Sequence, residues 1–250
     1  ATKYVQIYFI GMPVMMLYNF CASILRAVGD TVRPLIFLII GGVVNVILNI
    51  FFVAVLDKTV EGVAIATVTS QGISAILSII VLLKSDGYGK LDLKKLKIYL
   101  PELKEMTKIG LPAGLQGCVF SISNVLIQST INSFAKKYMT ANTIASQFDG
   151  FIYNAMYAIA LACLAFVSQN LGAKKIDRVR TVVRESTALV TVVGLILGGI
   201  IILFSEQLCG IMSDDEEIIK IAQLRLDIMA STYFTCGIMD VLSNCMRGLG

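Results

Sequence analysis

Of 250 residues, 56% are hydrophobic and 15% charged, and the mean hydropathy is +0.80, a balance that excludes an ordinary soluble domain and points to lipid. There is no histidine, and the six cysteines form no CxxC pair, so zinc sites and Cys/His catalysis lose their usual ingredients. The thiols are read as small buried hydrophobes, and the net charge of +4 reflects loop placement rather than an affinity for nucleic acid.

A bilayer core of about 30 Å requires roughly 20 apolar residues in a helix. Runs free of Asp, Glu, Lys and Arg cover residues 5–25, 34–56, 62–83, 109–135 and 186–205. Two further stretches are apolar except for Asp149 in residues 140–170, and for Lys220, Arg225, Asp227 and Asp240 in residues 218–246. Seven spanning helices are expected, since the alternation that a barrel needs is absent. The first run lacks the basic flank and cleavage site of a signal peptide. Pro13 falls inside it and is expected to kink it.

The longest polar stretch, residues 85–108, divides three helices from four. Leu93, Leu96, Leu100 and Leu103 recur there among lysines, as in an amphipathic segment at a membrane surface. The domain expectation is therefore 1–84 for the end of one lobe, 85–108 for a linker and 109–250 for the start of a second lobe. Fourteen Lys and Arg fall on the linker's side, including Arg26, Arg33, Lys94, Lys174, Arg178 and Arg247, against Lys3, Lys58, Lys136, Lys137 and Lys220 opposite. The linker side is thus expected to be cytoplasmic, and the acidic run SDDEE at 213–217 external.

The chain repeats itself weakly. Sliding it by 221 residues lays 1–29 on 222–250 without a gap, and Arg26 meets Arg247 while Gly29 meets Gly250. A period of about six helices is the signature of transporters built from two similar halves. The chain begins without Met and stops at the edge of a helix, so it is expected to be a fragment.

Five motifs carry a resemblance: LRAVGDTVRP at 25–34, EGVAIATVTSQ at 61–71, IGLPAGLQ at 109–116, FVSQNLGAKKIDR at 166–178 and MRGLG at 246–250. In this order and spacing they resemble the corners and helix starts of the multidrug and toxic compound extrusion transporters. The resemblance implies an all-α, polytopic membrane bundle of two pseudo-symmetric six-helix lobes, of which about helices four to ten are present. It implies a secondary active antiporter, not an enzyme, that sits in the cell membrane as a monomer. Such a protein exports cationic or amphipathic drugs and toxic compounds in exchange for protons or sodium, with no cofactor beyond that coupling ion. The corner residues are expected to be structural, with Gly29 and Gly172 ending helices in left-handed caps and Pro34 opening the next helix.

Polar residues inside spans mark candidate sites, because they are costly in lipid and turn toward the bundle interior or a wet cavity. Gln116, Asn124, Gln128 and Asn132 recur at multiples of four, a stripe that favours a cavity over a single interhelical clamp. Asn45 and Asn49 are one turn apart. Gln147, Asp149, Tyr153, Asn154 and Tyr157 crowd two turns. Asp149 and Asp240 differ in kind, since a carboxylate within a span costs about 2.5–3.5 kcal/mol unless paired or hydrated, and such a group can exchange a proton or a sodium ion for a cationic substrate. The resemblance places Asn45, Asn49 and Thr67 in the first lobe's ion site, with Asn49 neutral where some members carry an acid, and Asp240 about a turn from the position of the second lobe's acid. The alternative is a lipid-linked oligosaccharide flippase of the same superfamily, whose cavity should be rich in Arg and Lys to hold phosphates. Arg225 is the one basic residue well inside a span.

Overall fold

The computed structural model describes residues 2–55, 59–85, 89–95 and 97–250, and among them there are eight α-helices, one short 3-10 turn and no strand. Leu56, Lys58 and Leu96, which the sequence assigns to a span, an external loop and the amphipathic linker, lie outside the described residues. The chain divides into two compact units, residues 1–97 and 98–250.

The first unit holds α1 (Thr2–Ala27), α2 (Val32–Ala54) and α3 (Thr59–Lys84), each long and apolar enough to cross a membrane. α3 packs along both α1 and α2, which barely touch each other. Pro13 is inside α1. The corner after α1 is made by Gly29 at φ 91°, the left-handed region that glycine adopts without a steric penalty. Asp30 accepts from the Arg33 backbone N–H at 3.1 Å, and the buried Tyr18 hydroxyl donates to the Pro34 carbonyl at 3.1 Å, tying α1 to the start of α2.

The polar stretch after α3 is not a single amphipathic helix. Leu93 lies in the 3-10 turn Leu93–Lys95, whereas Leu100 and Leu103 already belong to α4 (Leu100–Asn132). That helix starts nine residues earlier than the uncharged run, with Pro101 in its first turn, where a missing N–H costs nothing. Lys104 and Lys108 are compatible with it because 33 residues at 1.5 Å each exceed a core of about 30 Å.

In the second unit, α5 (Lys136–Gly172), α6 (Ile176–Gly210), α7 (Glu216–Ala230) and α8 (Tyr233–Leu249) pack on one another, and α4 borders α5 lightly. Without a hydrophobic drive between helices in lipid, small residues set the close contacts. The buried face of α5 runs through Ala141, Ala145, Ile152, Met156, Ala160, Cys163 and Val167, and that of α6 through Val190, Gly194, Gly198, Ile201, Ser205 and Cys209. The turn between them departs from expectation. Gly172 remains helical, and Lys174 takes the left-handed conformation at φ 58°.

The seventh expected span is two helices. α7 and α8 are separated by Ser231 and Thr232, although their buried residues keep one rhythm through the gap: Ala222, Leu226, Ala230, Tyr233, Gly237, Val241, Asn244 and Gly248. The break is therefore local, and both segments bury the same face. It contains no Pro or Gly. Instead the hydroxyls of Ser231, Thr232 and Thr235 each donate to a carbonyl three residues back, which competes with the helical ladder. Singly, helices of 15 and 17 residues fall short of a bilayer core, so among the described residues six helices, α1 to α6, are long and apolar enough to cross a membrane.

Candidate functional site

Each unit carries a polar cluster of its own. In the first, α2 brings Asn45 and Asn49 to the face of α3 that carries Thr67, Ser70 and Ser74. The Asn45 amide donates to Thr67 Oγ1 and to Ser70 Oγ, both at 3.4 Å, and accepts from Asn49 at 2.9 Å. The two hydroxyl protons point elsewhere, that of Thr67 to the Val63 carbonyl and that of Ser70 to the Thr67 carbonyl, each at 2.9 Å. Ser74 reaches across to the Phe37 carbonyl at 2.9 Å. A cleft of about 290 Å³ opens here, lined by Asn45, Thr67, Ser70, Gln71 and Ser74 beside Gly41 and Gly42. The structure thus brings together all three residues singled out in this half. It adds Ser70, Gln71 and Ser74, of which the serines were legible as a four-residue repeat on α3. Asn49 Oδ1 is buried and meets no donor among the described residues.

In the second unit, the long amide stripe of α4 is exposed among the described residues. α4 has no buried residue, and Gln116, Asn124, Gln128 and Asn132 are all exposed or nearly so. Its amides are nonetheless engaged. Gln128 donates to Asn132 at 2.9 Å and accepts from Asn142 of α5 at 3.2 Å, while Gln116 accepts from Arg247 of α8 at 2.6 Å.

Asp149 is not isolated. It occupies the buried stripe of α5, between Ala145 and Ile152, and its Oδ2 pairs with Arg225 Nη2 at 2.8 Å while Oδ1 accepts from the Tyr233 hydroxyl. Pairing of this kind is how a carboxylate within a span is tolerated. One and two turns along, Tyr153 and Tyr157 stack with centroids 5.7 Å apart. Asn154 and Gln147 turn outward and are exposed.

Asp240 is placed differently. It is half-buried on α8, within electrostatic reach of Tyr153 and of Arg247, and its Oδ2 is buried without a hydrogen-bond partner among the described residues. Asp227 on α7 shares that property at Oδ1 and lies near Cys209. Sequence reasoning noted this second acid and gave it no role. Polar atoms buried without a partner are rare enough to require an explanation, such as a bound ion or a proton.

Comparison with known proteins places the chain. A profile of the MatE family matches residues 1–51 and 112–250. The chain is 28% identical over 260 residues to the probable multidrug resistance protein YoeA of Bacillus subtilis, covering 100% of this chain and 56% of that protein. It is 20% identical over 251 residues to the FAD transporter of Shewanella oneidensis, covering 98% and 55%. Among solved structures, a mutant form of the Vibrio cholerae MATE transporter VcmN superposes with a TM-score of 0.88 at 24% identity, over 98% of this chain and 56% of that one. The chain spans about half the length of the curated relatives it matches. With a family profile covering both sides of the 52–111 interval and an all-helical, multi-pass fold shared with MATE transporters, the chain belongs to the MatE family, the multidrug and toxic compound extrusion transporters.

Proposed function

We propose that the chain works as part of a monomeric secondary antiporter in the cell membrane, which exports organic cations, drugs among them, in exchange for protons or sodium. The observation that carries this reading is the half-buried Asp240 carboxylate with one unpartnered oxygen, a group able to hold either a coupling ion or a positively charged substrate, not both at once. Asn45, Asn49 and Thr67 form the corresponding polar cluster of the other unit, with oxygens but no acid, and serve as cavity lining or as an ion site. On this reading residues 85–108 face the cytoplasm.

The relatives' names include drug resistance proteins and an FAD transporter, so the sign of the substrate charge matters. Arg225, the basic residue well inside the second unit's spans, is already committed to Asp149 rather than open to phosphates. Unpartnered acids favour cations over an anionic dinucleotide or a lipid-linked oligosaccharide.

The test is Asp240→Asn in the intact transporter, assayed for export of a cationic dye at several pH values and sodium concentrations. The amide keeps shape and loses charge, so export is expected to vanish with membrane insertion intact. Undiminished export at every pH and sodium concentration removes Asp240 from the exchange.

A further inference from the structure

Both oxygens of Asp149 are taken, and by residues on opposite sides of the same helix break. Arg225, on α7, pairs with Oδ2 at 2.8 Å; Tyr233, the first residue of α8, donates to Oδ1. Arg225 is held a second time, since its Nη1 donates to the Asn142 carbonyl at 3.3 Å, two turns along α5 from Asp149. Tyr233 is itself buried. On the far side, α6 presents glycines to the break: a methyl group at Gly194 would stand 2.9 Å from Phe234 Cα, and one at Gly198 2.6 Å from the Ala230 carbonyl oxygen. The gap at Ser231 and Thr232 is thus seated on α6 and fastened from α5.

We infer that Asp149 is a positioning residue: it straps the two halves of the broken helix together and so sets where Asp240, seven residues beyond Tyr233, stands relative to Tyr153. This rests on the reading that Asp240 performs the exchange. An acid neutralised by a guanidinium and bound by a phenol is a poor exchange group, because an arriving ion would have to displace Arg225 and leave that charge uncompensated in a low dielectric. The unpartnered oxygen of Asp240 carries no such penalty. The strap also connects α7 to α4, through Asn142 and its bond to Gln128, so that a shift of α7 is felt at the amide stripe.

Amide hydrogen exchange across residues 228–236 of the intact transporter tests the strap without reference to transport, and dye export measured over a range of coupling-ion concentrations tests its consequence. In Asp149→Asn, Arg225→Gln and Tyr233→Phe, exchange at the break is expected to rise at least about tenfold, with α6 protection retained. Export should fall and the ion concentration giving half-maximal export should shift in the same direction in all three variants, and the reciprocal Asp149→Arg, Arg225→Asp protein should recover protection. Tyr233→Phe loses one hydroxyl and keeps the test meaningful should the charge variants not fold. Unchanged exchange at the break in all three single variants, or a shift of the half-maximal ion concentration confined to Asp149→Asn, overturns the inference. A wild-type protein that exports no cation would overturn the antiporter reading and leave the exchange measurement of the strap standing.

Discussion

Gly198 on α6 lies against the last carbonyl of α7, so closely that a methyl group there would be 2.6 Å from the Ala230 oxygen, whereas nothing lies within 4 Å of the equivalent point at Gly199. Adjacent glycines in one helix therefore have opposite expected responses. Gly198→Ala overpacks a backbone contact and should cost about 1–3 kcal/mol. Gly199→Ala should be neutral or gain up to about 1 kcal/mol through helix propensity. Thermal melts of the two variants of the intact protein in detergent check this, and equal melting temperatures would show that the break does not seat on α6.

The Asn45 cluster makes a prediction about charge. Because the Thr67 and Ser70 hydroxyl protons are directed at backbone carbonyls, both oxygens act as acceptors toward the Asn45 amide. Asn45→Ala removes contacts worth about 1 kcal/mol in all. Asn45→Asp sets a carboxylate against oxygens and should be worse, approaching about 2.5–3.5 kcal/mol without a compensating cation. Melting temperature measured in choline and in sodium buffers separates the outcomes: a sodium-dependent recovery confined to Asn45→Asp marks the cleft as able to hold a cation.

How much of this was legible in the sequence differs residue by residue. Five spans follow from uncharged runs alone and a sixth from a run broken only by Asp149, since length and hydropathy suffice in lipid. The break at Ser231 and Thr232 does not, because no Pro or Gly marks it and the buried rhythm from Ala222 to Gly248 passes through undisturbed. Asp149 stood out as an acid and Arg225 as a base, yet no spacing rule relates residues on α5 and α7. The rhythm Ala141, Ala145, Asp149, Ile152 was readable, and it does say that this acid faces the packed side. For α4, the four-residue spacing of its amides fixes that they share a face and says nothing of what the face meets. At the corner after α5, the glycine was the natural candidate for positive φ, but the helix continues through Gly172 and the conformation falls on Lys174.

Topology is open to direct measurement. In a protein stripped of its six native cysteines, Asp214→Cys should react with a membrane-impermeant maleimide in intact cells, and Lys94→Cys after permeabilisation alone. Asp214 is chosen over Asp215 because Asp215 caps α7, its side chain accepting from the Glu217 and Ile218 backbone N–H groups, and losing such a cap costs about 1 kcal/mol. Labelling of Lys94→Cys in intact cells would reverse the orientation.

Asp227 and Asp240 offer a comparison within one broken helix, since each has one buried carboxylate oxygen with no partner among the described residues. Their surroundings differ. Asp240 is within electrostatic reach of the exposed Tyr153 and of Arg247, so an ion arriving there meets an aromatic and a polar rim. Asp227 is near the fully buried Cys209 of α6, and its backbone carbonyl accepts from Ser231 N–H at 3.3 Å at the break. If the open oxygen of Asp227 is a local cost of forming the break, an amide there removes a buried charge worth about 1–3 kcal/mol as an unsatisfied group. Asp227→Asn should then raise the melting temperature or leave it unaltered, with dye export above about half of wild type. Asp240→Asn should do the reverse, abolishing export with little change in melting temperature. Loss of export in both variants with stability intact would extend the exchange site along the helix to include Asp227, and loss in Asp227→Asn alone would move it there.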